Sequence, residues 1–411
     1  MKNVIRSATG VILLLAGCLL LAGSTETIKR QRAVLREGPG SFFPAVAELS
    51  QGTSVEVQEQ SNGWYRVTVE EYSGYVSGKA FQGERQTTDV LTRIGQEASV
   101  TEVSRSGVSA AVKGFAERFT TRLHGDDSLL ETFYSYRIDV DQYRQFRQDT
   151  YRNRNLSAIR RRIALPEQDV PDVFSFSEEG IGMAIASKIA GIGLYEDPGL
   201  RNYVSNVGYL VVEASGAYDI PFKFFILDTE KVNAYSCPGG IVFVSKGALQ
   251  RMDNEAELAC FLGHEIAHVA LRHGMQELEK RRPMVTADHA FMELSNEIDM
   301  SEEQKQLDEE LESMALDIYE TIFEGRLKAY EDEADIYGMT YAARAGYRPV
   351  ALANYLTKLT RGGDLSGNQH YTPAQNSERL QKVRTWLQNN RFPQQMLGMN
   401  AERFQQNVGS M

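Results

Sequence analysis

The residues of this chain best suited to do chemistry are His264-Glu265-Ile266-Ala267-His268. Two imidazoles four residues apart on a helix lie on one face, one turn apart, so both can converge on a single metal ion. Glu265 projects toward the open coordination position, where a carboxylate can take a proton from a metal-activated water. Two surface or packed histidines on an amphipathic helix are the purely structural account of the same spacing. A catalytic zinc ion takes three protein ligands and keeps one position open, so a third ligand must come from elsewhere. The best source is Glu331-Asp332-Glu333-Ala334-Asp335. Glu331 and Asp335 are again four apart, and like charges so placed destabilise a bare helix unless a cation is near. Glu331 can ligate the metal while Asp335 accepts the N–H of a ligand histidine and fixes its tautomer. Taken alone, this cluster also fits a solvated acidic face.

Both motifs have to sit on helices. Asn254 with Glu257 three places on makes a capping-box-like start for the first helix, and Gly274 is expected to close its far end. The second helix is expected to end near Gly346 and Pro349. Upstream, the apolar runs 222–227 and 241–244 flank Pro238-Gly239-Gly240, which predicts a small sheet beside a helical body. Between the two helices, residues 297–312 hold eight carboxylates against Lys305 alone. A solvated helical hairpin is the default reading of that insertion, and a lid that gates a cleft is the alternative. The stretch 389–411 reads as a loose polar tail.

The chain has 411 residues, 42% hydrophobic and 24% charged, which fits two or three domains with a sizeable core. Fibrous, low-complexity and wholly disordered classes are excluded. A net charge of -11 opposes any general affinity for nucleic acid. At the start, Lys2 and Arg6 precede an apolar run over residues 8–23, which reads as an export signal. Leu15-Ala16-Gly17-Cys18 within it resembles the bacterial lipobox, which implies a lipid on Cys18; a cleaved soluble signal and a retained anchor stand beside that reading. Cys237 and Cys260 sit in apolar company and read as buried small hydrophobes. Arg144, Arg147, Arg152, Arg154, Arg160, Arg161 and Arg162 face only Asp149 in their segment. That run reads as a solvated helix face or as a contact for anionic lipid or cell-wall polymer.

Between residues 32 and 81, short alternating runs are broken by turn residues, with Asn62-Gly63 the strongest hairpin signal. Leu35-Arg36-Glu37-Gly38-Pro39-Gly40, Asn62-Gly63-Trp64-Tyr65-Arg66-Val67 and Gly74-Tyr75-Val76 resemble the bacterial SH3 domain. The resemblance implies a small barrel that binds cell-wall peptides or other proteins, with Trp64 and Tyr65 serving either core packing or the ligand.

The larger part of the chain resembles a zinc metallopeptidase of the CAAX prenyl protease and HtpX-like family (peptidase family M forty-eight), in its exported bacterial branch. The resemblance runs from about residue 176 to 387 and includes Val232-Asn233-Ala234-Tyr235 before Pro238-Gly239-Gly240, Glu257-Leu258-Ala259, and Glu331 to Asp335 followed by Gly338. It implies one zinc ion held by His264, His268 and Glu331, with Glu265 as general base. It implies that Asn233, Ala234 and Tyr235 form an edge strand that binds extended substrate. The family carries a His-Pro pair before an arginine near the domain's end. Here that place reads His370-Tyr371-Thr372-Pro373, with Arg379 beyond, so His370 is the candidate for the transition-state role. The expected fold is α+β, a mostly helical zincin (gluzincin) domain with a small sheet, preceded by a small SH3-like β barrel. The expected order is an export signal (1–23), the SH3-like domain (29–83), a helical linker region (84–170), the metallopeptidase domain (171–390) and a polar tail (391–411). The function implied is cleavage of unfolded or misassembled polypeptides in the bacterial envelope, periplasmic or membrane-anchored. A peptidoglycan hydrolase and a latent binding protein or chaperone are the rival readings.

Overall fold

The computed structural model describes residues 24–30, 32–61, 63–83, 117, 127–166, 176–276, 302–324, 328–361, 373–409 and 411. The chain divides into two compact units, residues 1–84 and 85–411. The residues of the expected export signal, Cys18 included, lie outside the described ones. Among the described residues no helix is long and apolar enough to cross a membrane.

The first unit is an antiparallel sheet of six strands: β1 (Ser24–Thr27), β2 (Arg32–Arg36), β3 (Ala45–Ser50), β4 (Ser54–Ser61), β5 (Trp64–Val69) and β6 (Tyr72–Ser77). Their spatial order is β1-β4-β5-β6-β2-β3. Alternation drives the packing, since successive side chains point to opposite faces of a strand. Leu35, Val55, Val57, Val67 and Val76 form the apolar inside, each at most 1% exposed. The expected hairpin joins β4 and β5, with Ser61 opposite Trp64; Asn62 lies outside the described residues. Trp64 is 3% exposed, so its indole packs inside, while Tyr65 stands edge-on to Phe81 with ring centroids 5.1 Å apart.

The second unit is helical around a three-stranded sheet. Strands β7 (Lys223–Leu227) and β9 (Ile241–Ser245) are parallel, and β8 (Ala234–Cys237) pairs antiparallel with β9, in the order β7-β9-β8. The turn from β8 to β9 needs left-handed backbone, which Gly239 (φ 79°) and Gly240 (φ 95°) supply without steric penalty. Around the sheet stand α1 (Asp127–Ser135), α2 (Val140–Tyr151), α3 (Leu156–Arg162), α4 (Phe176–Ala190) and α5 (Pro198–Ala214). After β9 follow α6 (Lys246–Gln250), α7 (Glu255–Ala270), α8 (Glu302–Glu324), α9 (Lys328–Arg344), α10 (Val350–Arg361), α11 (Pro373–Asn389) and α12 (Ala401–Val408).

Three sequence expectations change here. The stretch expected to link the domains supplies α1 to α3, which pack into the helical unit: Leu129 and Ile159 are fully buried, and Tyr143 donates to Glu213. The arginine run is not a bare solvated face either. Arg147 pairs with Glu213 at 3.0 Å, and Arg154 donates to the Gly346 carbonyl at 3.2 Å and to Asn400 Oδ1 at 2.7 Å. The C-terminal stretch is not loose. Phe404 on α12 is 1% exposed, and Arg403 and Asn400 reach the fully buried Glu255 at the start of α7. Polar composition hides this docking, because two or three well-placed side chains decide it.

The helix that runs on from the acidic insertion belongs to the core beyond residue 312. Met314, Ala315, Ile318 and Ile322 on α8 are buried with Ile181, Ile185 and Ile189 of α4 and with Tyr235 and Cys237 of β8. Residues 297–301 lie outside the described ones. Cys237 and Cys260 are both fully buried, as their apolar neighbours suggested.

Candidate active site

Helix α7 carries His264, Glu265 and His268. Asn254 Oδ1 accepts the Glu257 N–H at 3.1 Å, and Glu257 Oε2 accepts the Asp253 N–H at 2.9 Å, a variant of the expected capping box shifted by one residue. Every residue of α7 is buried, so the helix runs through the core instead of lying on it. It ends at Ala270 and not at Gly274: Arg272, with φ 53°, is the left-handed residue that breaks it.

Helix α9 crosses α7 at two glycines. A Cβ on Gly263 would lie 2.6 Å from the Gly338 carbonyl oxygen, and one on Gly338 would lie 2.5 Å from the His264 nitrogen. Backbone thus touches backbone, and Glu331 and Asp335 on α9 are carried up to the histidines of α7. The outcome is a cluster of donor atoms. His264 Nε2 and His268 Nε2 are 3.1 Å apart; the first lies 3.3 Å from Glu331 Oε2 and the second 3.3 Å from Glu331 Oε1. A tetrahedral ion with bonds of about 2.0–2.1 Å holds its ligand atoms about 3.3 Å apart. These residues therefore fit a zinc-sized ion with one position left open.

Neighbouring opposite charges dominate the electrostatics of the site. Burial opposes charge on His264, but the Asp335 and Glu331 carboxylates outweigh it and hold its pKa up to about 9. Burial favours the neutral form of Glu331, yet the two imidazoles hold its carboxyl well below the usual range. Asp335 is lowered in the same way, against burial, by Arg379 and His264. His264 Nδ1 lies 2.9 Å from Asp335 Oδ1, which leaves Nε2 for the metal. Arg379 clamps that carboxylate from α11, Nε to Oδ2 at 3.0 Å and Nη2 to Oδ1 at 2.6 Å. Nothing in local spacing announced the clamp, since the partners are 44 residues apart in sequence.

Glu265 is 2% exposed and accepts a hydrogen bond from Ser236 Oγ at 2.8 Å. Sequence reasoning missed Ser236; the only signal was a hydroxyl in an otherwise apolar strand. β8 lies at the edge of its sheet, as expected for Asn233-Ala234-Tyr235, and among the described residues no further strand pairs with it. Tyr235 is 5% exposed and turned into the core, and Asn233 bonds locally, its N–H to Ser245 Oγ at 2.9 Å and its Oδ1 accepting from the Ala234 N–H at 2.9 Å. Ser236, the next residue of the strand, is the one that reaches Glu265. His370 and Thr372 lie outside the described residues. Two imidazoles, two carboxylates and a base in a water-poor pocket can hold a divalent cation and move a proton beside it.

Comparison with known proteins meets this geometry independently. Residues 199–387 match Peptidase family M48, and residues 32–82 match the Bacterial SH3 domain. The chain is 29% identical over 170 residues to the beta-barrel assembly-enhancing protease of Yersinia pestis, covering 41% of this chain and 35% of that protein. It is 28% identical over 169 residues to the protein of that name in Escherichia coli strain K12, covering 40% and 34%. The mitochondrial metalloendopeptidase OMA1 of Schizosaccharomyces pombe is 26% identical over 191 residues, covering 45% and 52%. The chain thus spans about a third of the length of the bacterial relatives it matches. The matched span takes in α7 and α9 with all three donors, so residues 199–387 are similar to the metallopeptidases of family M48, in one chain with a stretch that matches the bacterial SH3 domain.

Proposed function

We propose that this chain is a zinc-dependent endopeptidase of the gluzincin type, similar to the CAAX prenyl protease and HtpX-like enzymes, that cleaves unfolded or misassembled proteins in the bacterial cell envelope. The observation that carries the proposal is the gathering of His264 Nε2, His268 Nε2 and the two Glu331 oxygens within 3.1–3.3 Å contacts, with Glu265 next to His264 on the same helix. His264, His268 and Glu331 would hold one zinc ion per chain. When bound, zinc polarises the scissile carbonyl and acidifies water at the site. Glu265 takes the proton of the attacking water and delivers it to the leaving amine. The Ser236 hydroxyl aims that carboxylate, and Asp335 with Arg379 holds His264 in the tautomer that presents Nε2. His370 is the candidate for stabilising the developing oxyanion.

An extended peptide would pair with the backbone of the β8 edge along Asn233, Ala234 and Tyr235, a mode that binds many sequences without reading them closely. Placement in the envelope draws on the names of the bacterial relatives and on the SH3 domain, which would tether the enzyme to cell wall or to a protein partner. Export through residues 1–23, with a lipid on Cys18, would put it in the periplasm or on a membrane.

The test is casein cleavage by the purified full chain, with metal content measured on the same sample and Glu265→Gln alongside. About one zinc per chain, with cleavage by the parent only, is the expected result. Zinc in both proteins with cleavage by neither would point to a latent or binding protein. Clearing of a cell-wall suspension without casein cleavage would point to a peptidoglycan hydrolase.

A further inference from the structure

Helix α7 stops before its metal face is complete. Ala270 is its last residue, and Arg272 follows in the left-handed region at φ 53°. Had the helix continued, His273, five residues beyond His268, would stand about 140° around the axis and face away from the donors. The break turns the chain back, and His273 Nδ1 comes to 2.8 Å from His268 Nδ1. Residues with a Cβ seldom adopt this conformation. Here a buried ion pair holds it, Arg272 Nε donating to Glu178 Oε1 at 2.7 Å. Backbone strain kept in place beside a reaction centre is a pointer to use.

His273 is fixed on its other side as well. It is fully buried, and its ring stacks on Tyr330 with centroids 4.4 Å apart and planes 19° from parallel. Its Nε2 lies 3.3 Å from Glu333 Oε2. Tyr330 and Glu333 flank Glu331 on α9, so the helix that offers the third donor also holds this ring. One assignment of protons suits the whole row. His268 presents Nε2 to the other donors and keeps a proton on Nδ1, and His273 accepts it at its own Nδ1, which leaves the His273 Nε2–H on the side of Glu333, 3.3 Å from Oε2 but out of line for a hydrogen bond.

We infer that His273 is a positioning residue of the metal centre: it accepts the Nδ1 proton of His268 and, backed by Glu333, fixes the orientation of the second ligand imidazole as Asp335 fixes the first. This rests on the metallopeptidase reading given above. An imidazole as the acceptor for a ligand histidine makes the site asymmetric, with a clamped carboxylate behind His264 and a histidine relay behind His268.

The test compares the full-length parent with His273→Phe, His273→Gln and Glu333→Gln. Zinc affinity is read by competition with a chelator, ligand geometry by the visible spectrum of the Co2+-substituted protein, and packing by thermal unfolding of the metal-free form. Phenylalanine keeps the stack on Tyr330 but accepts no proton. The expected result is metal-free stability close to the parent's, zinc affinity about 10- to 100-fold weaker and shifted cobalt bands, with Gln recovering part of the loss. A His273→Phe protein that binds zinc as tightly as the parent, with an unchanged cobalt spectrum, overturns the inference and leaves a packing role. Should that variant fail to fold, Glu333→Gln decides: its carboxylate is 44% exposed, so folding tolerates the change, and parent-like affinity there also overturns the inference. A parent that takes up no zinc sinks the metallopeptidase reading itself.

Discussion

Substituting Gly338 by alanine adds one methyl group where two helices touch through their backbones. The new Cβ would lie 2.5 Å from the His264 nitrogen, 2.7 Å from the Gly263 carbonyl carbon and 2.8 Å from the His264 Cα. Relaxed contacts between such atoms are about 3.5 Å, and backbone atoms inside a buried helix cannot swing aside. α7 and α9 would have to part by roughly 1 Å at the crossing. Metal sites tolerate about 0.2 Å in their ligand distances, so the Glu331 oxygens, each now 3.3 Å from one of the histidines, would leave the donor cluster. Overpacking of this kind costs about 1–3 kcal/mol, and each kcal/mol lowers the melting temperature by about 2–4 °C in a domain of this size. The expected result is a folded variant that melts a few degrees lower without metal and binds zinc at least on the order of 10-fold more weakly. Chelator competition and thermal unfolding measure the two effects separately. Gly274→Ala is the control, since a Cβ there meets only an Ile318 methyl at the ordinary distance of 3.5 Å. A Gly338→Ala protein with unchanged zinc affinity and melting temperature would refute the view that this crossing sets the metal geometry.

Ser236→Ala removes the hydroxyl 2.8 Å from Glu265; metal content should stay at the parent's level while kcat on a peptide falls on the order of 10-fold, and an unchanged kcat would show that Glu265 needs no such guide. Lys223 is a pH probe of stability: burial, then the nearby Arg137, lower its pKa to about 8. Between that value and the ordinary lysine range, the unfolded chain binds the proton and the folded chain does not, so this group makes stability rise with pH from about 8 to about 10.5, by up to about 3 kcal/mol. Denaturant titrations across that window should show the rise in the parent relative to Lys223→Met, and parallel curves would contradict the assignment. Phe404→Ala should destabilise the helical unit by about 3 kcal/mol in chemical unfolding, against nearly nothing if the C-terminal stretch were loose.

The chemistry was legible in the sequence because a helix converts spacing into geometry without help from the rest of the fold. His264 and His268, four apart, face one point on any helix, and so do Glu331 and Asp335. The six-stranded unit was equally legible, since alternation and the turn at Asn62-Gly63 act over a few residues. What stayed hidden were partnerships between residues distant in the chain. Arg379 meets Asp335 across 44 positions, and Ser236 meets Glu265 across 29. The arginines of α2 and α3 and the C-terminal α12 looked solvated because composition does not show a carboxylate or carbonyl brought in from elsewhere.

By itself, then, the sequence determined which atoms could bind a metal, which carboxylate could serve as base and which segment would form a β unit. The tertiary structure alone decided that the two motifs meet, because only a glycine-on-glycine crossing lets α7 and α9 come close enough to bring Glu331 oxygens within 3.3 Å of both histidines. It decided as well that His273 faces the site. A helix running on from Ala270 would have turned that ring away, and it was the buried pairing of Arg272 with Glu178, itself 94 residues upstream, that held the backbone in the turn.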